Sequence, residues 1–264
     1  MPIGALTAAA SGLAFQELNV RVIADNIAKM NVTAEKSSIA VAKDRGYQVY
    51  QGIGSPTSAE GTTNNTGTYV GMGVGVAGIV RVMAQGDPEA TDSPLDVMIQ
   101  GEGYFAVTLP SGDTGYTRDG RFTLNANRQI VTMDGYEVKP TLTIPVNTVN
   151  IDINAEGQVY ANIQNQVAPT LVGQFEIDTF PNPTGLEPIP AGISKETAAS
   201  GAPTTGVAGA LGFGSVRQYT LESSNIKPVN ELTALIQAQR AYSMNTKSMT
   251  AVEQMDQNLQ ALMR

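Results

Sequence analysis

The sequence predicts an α+β fold in which long N- and C-terminal coiled-coil helices flank a mainly antiparallel β central domain. Apolar residues recur at helical spacing over residues 2–30 and again from Leu235 to Leu262. Between those stretches the apolar period changes to two, with Asp-Gly pairs set among strand-forming residues. Glycine (27) and proline (14) are plentiful while aromatic residues make up only 6%, which suits short strands joined by many turns.

The first helix is written in a 3-4 alternation. Leu6, Leu13, Val20 and Ile27 are spaced by seven, and Ala9, Gln16, Ile23 and Met30 fill the intervening positions, leaving one polar defect at Gln16. Pro2 suits a first turn, where its missing N–H costs nothing. Gly12 lies mid-helix at a cost of about 1 kcal/mol relative to Ala unless another backbone approaches closely there.

Residues 31–70 lose that period. The run GIGSPTSAEGTTNNTGTYVG is rich in Gly, Ser, Thr and Asn and reads as an extended loop or linker. From residue 71 to 180 alternation takes over. Leu95, Val97 and Ile99 alternate with Asp96, Met98 and Gln100, and Phe105, Val107 and Leu109 continue the pattern. Two Asp-Gly pairs, in RDGRF and MDGYEV, supply the positive φ of tight hairpin turns and predict an antiparallel meander. Pro- and Gly-rich loops then run to about residue 215.

The last helix begins near NIKPVNEL, with Asn225 as candidate cap, Pro228 in the first turn and Glu231 near the positive end of the dipole. Its stripe runs Leu235, Ala238, Tyr242, Asn245, Met249, Val252, Met255 and Leu259. A continuous helix from Pro228 to the end would span about 55 Å. The expected organisation is a terminal helical domain (1–33 and 224–264), an extended connecting region (34–70 and 205–223) and a β-rich outer domain (71–204).

Composition excludes several functions. The net charge of −8 argues against nucleic acid, whose phosphates call for Lys and Arg. With no Cys and no His, thiol and imidazole catalysis are excluded and transition-metal sites disfavoured, so no metal, cofactor or catalytic residue is expected. No basic segment precedes an apolar core at the N-terminus, and no window reaches the length of a membrane span, so neither a Sec signal nor membrane insertion is expected.

Three local patterns imitate chemistry. GVGVAG (73–78) matches a dinucleotide fingerprint, but IVRVMAQGDP continues it as strand rather than helix. DINAEG (152–157) opens like a calcium loop, yet Ile163 stands at its twelfth position, so it reads as a hairpin turn. Asp92, Asp96, Glu102 and Asp119 could supply a glycosidase pair, but such clusters arise by chance among 24 acids.

Helices of this kind are marginal alone and need a partner for their apolar stripes. The two could cover one another within the chain, as in an ordinary α+β domain, or be buried by other copies, as in a filament subunit. The residues expected to make a self-assembly interface are Leu6, Leu13, Val20, Ile23, Asn26 and Ile27 from the first helix. From the last they are Leu235, Ala238, Gln239, Arg240, Tyr242, Asn245, Met249, Val252 and Leu259.

Nearly the whole chain resembles the flagellar rod/hook family of axial proteins. ASGLAFQELNVRVIADNIA is similar to that family's first helix, SPLDVMIQGEGYFAV and YTRDGRFTLN to its β motifs, and LESSNIKPVNELTALIQAQRAY to its C-terminal signature. The length leaves no room for the extra outer domain of hook proteins, and GYQVYQGIGSPTSAEGTTNNTGTYVGMGVGV resembles an insertion typical of a rod member. The resemblance implies a rigid helical homopolymer, exported by the flagellar type III system without a cleaved signal peptide. It would cross the periplasm and transmit motor torque between proximal rod and hook subunits, inside peptidoglycan and outer-membrane ring proteins. The chain departs from the family's Asn-Thr-x-Gly-Phe-Lys run, with Ala34 and Glu35 where Gly and Phe are expected and only Lys36 retained. Lys29 stands for a usual Asn, and Arg128 for a turn Gly. Within the family, a proximal rod or hook-like axial protein is the alternative; outside it, a glycan-binding or glycan-cleaving β-protein is the competing reading.

Overall fold

The computed structural model describes residues 2–55, 63–164, 166 and 168–262. It divides into two units. One holds Met1–Ala28, Ser38–Arg81 and Lys227–Arg264; the other holds Lys29–Ser37 and Val82–Ile226. A helix at each end and a mainly antiparallel β body are as the sequence predicts.

In the helical unit, α1 (Pro2–Ala28) packs against α2 (Pro228–Leu262). The pair is antiparallel, since Asn26 bonds Glu231 while Gly12 faces Asn245. A Cβ at Gly12 would lie 2.9 Å from the Asn245 amide nitrogen, so the glycine makes room for a side chain rather than for a backbone. A second face of α1 packs on the antiparallel pair β1 (Ser38–Asp44) and β4 (Val74–Arg81), which carries a bulge between Val41 and Ala42. There the Ser11 hydroxyl accepts the Val74 amide at 3.1 Å, and Gly73, at φ 97°, comes so close to Ser11 and Ala8 that no side chain would fit.

The strands β2 (Tyr47–Gln51) and β3 (Thr68–Gly71) form a second antiparallel pair. The stretch expected to be an extended connection therefore holds strands β1 to β3. The Gly, Ser and Asn of its middle masked the strand-formers on either side, and β1 finds its partner only beyond the loop. Residues 56–62, inside that expected loop, lie outside the described residues. From Val74 onward GVGVAG is strand, paired with β1.

The β unit is built on a nine-stranded sheet. Its path runs 187–189, 193–195, 114–117, 104–108, 137–138, 130–132 and 122–124, and strand 176–179 joins 104–108 to 204–207. A three-stranded meander (148–153, 158–163, 170–174) and the pairs 97–100 with 215–218 and 88–90 with 220–222 complete it. The alternation read from Val97 to Val107 points Val97, Ile99, Phe105 and Val107 into one core, with Phe105 edge-on to Phe122 at 5.1 Å and to Phe175 at 5.7 Å. DINAEG is the hairpin turn between strands 148–153 and 158–163. MDGYEV is likewise a turn, with Gly135 at φ 87°. The Asp-Gly of RDGRF is not: Gly120 has no positive φ, and its carbonyl accepts the Val97 amide at 3.0 Å.

The family departures have local solutions. Ala34 takes φ 58° and Arg128 φ 59°, so each adopts the left-handed backbone for which glycine is suited. Glu35 lies 3.6 Å from Lys29, so two of the departures form an ion pair with each other. A left-handed alanine costs roughly 1–2 kcal/mol, part of which returns as lost unfolded-state freedom. Ala34→Gly is therefore expected to stabilise the protein by about 0.5–1 kcal/mol. The urea midpoint should rise; an unchanged or lower midpoint would contradict the strain.

Candidate self-assembly surface

The expected interface residues divide once placed. Ile23, Asn26 and Ala238 are buried within the chain itself, where α1, α2 and β1 meet. Asn26 is fastened there: its amide exchanges hydrogen bonds with the Ser38 backbone in both directions at 2.9 Å and donates to Glu231 at 3.2 Å. Leu6, Leu13, Val20, Ile27, Leu235, Asn245, Met249 and Val252 are half-buried. Gln239, Arg240 and Tyr242 face outward, and the side chain of Leu259 lies outside the described residues. Much of the seam is thus occupied within the chain.

Asn225 does not cap α2. The helix starts at Pro228, and Lys227 supplies the carbonyl that accepts the Asn230 and Glu231 amides at 3.0 and 3.1 Å. Proline at the first helical position loses no hydrogen bond, which fixes the start there.

The sequence reading missed a second stripe on α2. Val229, Leu232 and Ile236 are 76%, 52% and 51% exposed, with Met244 further along the helix. Their spacing of three and four is visible in the sequence, beside the longer stripe that begins at Leu235. β1 to β4 add exposed Ile39, Tyr47, Val49, Tyr69, Val70 and Val80. Against this, the buried hydrophobic side chains of the helical unit, among the described residues, are Val22, Ile23 and Ala238; the others belong to the β unit. Exposed apolar surface thus outweighs buried core in the helical unit among the described residues.

Among the described residues no group of three or more acidic side chains is placed to hold a metal ion. Of the imagined glycosidase carboxylates, Asp119 is held above the usual range by burial, and it accepts the Arg121 amide at 3.0 Å. No described helix is long and apolar enough to cross a membrane.

A family model for the flagellar hook protein FlgE/F/G D1 domain matches residues 98–161, inside the β unit. A second, for the flagellar basal body rod FlgEFG protein C-terminal region, matches residues 217–262, which include all of α2. The flagellar basal-body rod protein FlgG of Caulobacter vibrioides is 47% identical over 251 residues, covering 95% of this chain and 96% of that protein. The chain belongs to the flagellar basal-body rod protein FlgG family.

FlgG of Borreliella burgdorferi is 39% identical over 95% of both chains, and that of Bacillus subtilis 31% identical over 96% of this chain and 97% of its own. The rod protein is accordingly a structural component of the flagellar basal body, in a family that is not enzymatic. This sets the glycan-cleaving reading aside.

Proposed function

We propose that this rod protein is a distal-rod subunit that assembles into a rigid helical tube and carries motor torque to the hook. The observation that carries the reading is the imbalance of the helical unit, whose outer apolar side chains are left about half or more exposed by the chain itself. Each such side chain contributes roughly 1.5–3 kcal/mol once fully buried, and nothing while its partner is absent. Repeated along a lattice, those contacts resist shear together, which is what a shaft under torsion needs.

In this reading α1 and α2 line the inner tube, their stripes continuing as coiled-coil packing between copies, and the β unit forms the outer wall. The outward stripe Val229, Leu232 and Ile236, with Gln239, Arg240 and Tyr242, meets neighbouring copies. The seam residues shape that surface from behind. Proximal rod and hook subunits adjoin the two ends of the tube, and peptidoglycan and outer-membrane ring proteins surround it. The subunit crosses the inner membrane through the flagellar type III channel without a cleaved signal.

The double substitution Leu232→Asp and Ile236→Asp tests this. Both side chains are about half exposed, so covering the rest is worth about 0.75–1.5 kcal/mol each, and losing the two should raise the concentration needed for assembly roughly tenfold to a hundredfold. Helicity by circular dichroism should stay largely unchanged, because both residues are half exposed and lie outside the stripe Leu235, Ala238 and Tyr242. Assembly at the original concentration, seen by sedimentation and negative-stain microscopy, would refute the assignment of this face.

A further inference from the structure

The chain passes between the two units after residues 28, 37, 81 and 226. Within the β unit, the segments that adjoin three of these passages meet at one side chain. Asn225 accepts the Ser37 amide on its Oδ1 at 2.7 Å, and its Nδ2 donates to the carbonyls of Val82 and Ala84 at 2.8 and 3.0 Å. The backbone follows suit. Val82 N–H donates to the Ser37 carbonyl at 2.8 Å, Ala34 N–H to Glu222 at 2.8 Å, and Asn225 N–H to Glu35 at 3.3 Å.

The same segments carry a buried charge triad. The Lys36 ammonium pairs with Glu222 Oε1 and donates to the Ala84 carbonyl at 2.9 Å. Glu222 Oε1 also accepts the Gly86 amide at 3.0 Å, and Glu222 Oε2 lies 3.5 Å from Arg118 Nη1. Arg118 donates from Nε to the Gly103 carbonyl at 3.0 Å and from Nη2 to the Gly101 carbonyl at 2.8 Å, and lies over the Tyr104 ring. The three residues come one each from NVTAEK, YTRDGRF and LESSN, three stretches far apart in the chain.

As a source of stability the triad is a poor design. Two cations share one anion, all nearly out of water, and Arg118 Nη1 finds no hydrogen-bond acceptor. Burial lowers Lys36 from its ordinary value despite the Glu222 carboxylate beside it. Apolar residues of similar volume commonly serve stability as well or better. What charges supply is placement, because slipping the segment by one residue would bury Glu35 or Ser37 where Lys36 belongs, leaving Glu222 without its ammonium. The segment has little apolar packing of its own: Met30 and Val32 are both exposed, and Glu35 stands where the family's aromatic anchor is expected.

We propose that Lys36, Glu222, Arg118 and Asn225 form a register-setting joint, which fixes segments 29–37, 82–86 and 222–225 against one another rather than adding to the stability of the β unit. The joint keeps the points where the chain enters and leaves the β unit at constant spacing. It stands on geometry alone and does not require the rod assignment.

Hydrogen exchange on the unassembled full-length chain tests it. Glu222→Gln, and separately the milder Asn225→Ala, should speed exchange at the amides of Ala34, Val82 and Asn225 by tenfold or more. The amides of Val107 and Ile130, in the core sheet, should keep their wild-type rates. The double variant Lys36→Met with Glu222→Leu should likewise keep the core protected while the joint exchanges fast. Three results would overturn the joint: unchanged exchange at its amides in both single variants, protection restored by the apolar pair, or core and joint loosening together in every variant.

Discussion

A chain that stops at Lys227 forms no filaments, yet its β unit still melts cooperatively. That is the expected result of deleting residues 228–264, and it follows from where the apolar surface lies. The deletion removes α2 with its outward stripe, and it strips α1 of the partner that fills the groove beside Gly12 and bonds Asn26. A helix left without tertiary cover is marginal in water, so α1 should lose most of its helicity as well. The Phe105, Phe122 and Phe175 cluster belongs to a core made wholly of residues of the β unit. Negative-stain microscopy and thermal melting followed at a strand-sensitive wavelength read the two halves separately. Filaments from the shortened chain would remove the helices from the assembly mechanism, and loss of the cooperative melt would show that the β unit is not self-sufficient.

Gly120→Ala should be the most damaging single methyl group in the β unit. A Cβ at that position would overlap the Val97 carbonyl, a backbone atom that no rotamer change can move aside. The strand Val97–Gln100 would have to shift, and it carries Val97 and Ile99, both fully buried in the main core. Displacement of this kind costs roughly 3 kcal/mol or more, equivalent to a melting point about 6–12 °C lower for a unit of this size. Gly135→Ala provides the comparison. Gly135 has φ 87° with open space around it, so an alanine there suffers backbone strain alone, about 1–2 kcal/mol. If the two variants melted at the same temperature, the close approach at Gly120 would be wrong and RDGRF would be an ordinary turn after all.

The contrast between these two Asp-Gly pairs shows how far local sequence reaches. Both dipeptides suit a hairpin, and one makes it. The other is spent on a contact with a strand over twenty residues upstream, which no window of neighbouring residues could reveal. Ala34 and Arg128 show the converse. The positive φ expected from glycines in the family is kept with other residues, because the surrounding hydrogen bonds fix the backbone whatever side chain it carries. The candidate surface was half legible. The long stripes on both helices were visible, but a stripe does not say which copy of the chain covers it. Ile23, Asn26 and Ala238 are consumed at home, while Val229, Leu232 and Ile236 are left outside.

By itself the sequence determined the two terminal helices, the alternating strands, the missing imidazole and thiol chemistry, and the family. Each of these depends on residue type and on spacing within one element, where local sterics and apolar periodicity decide. Only the tertiary structure decided that β1 to β3 form within an expected loop, that Asn225 stitches three segments instead of capping a helix, and that Lys36, Arg118 and Glu222 meet. Those outcomes depend on which distant backbone or charge arrives as partner, and the energy of such an encounter is written in no single stretch of the chain.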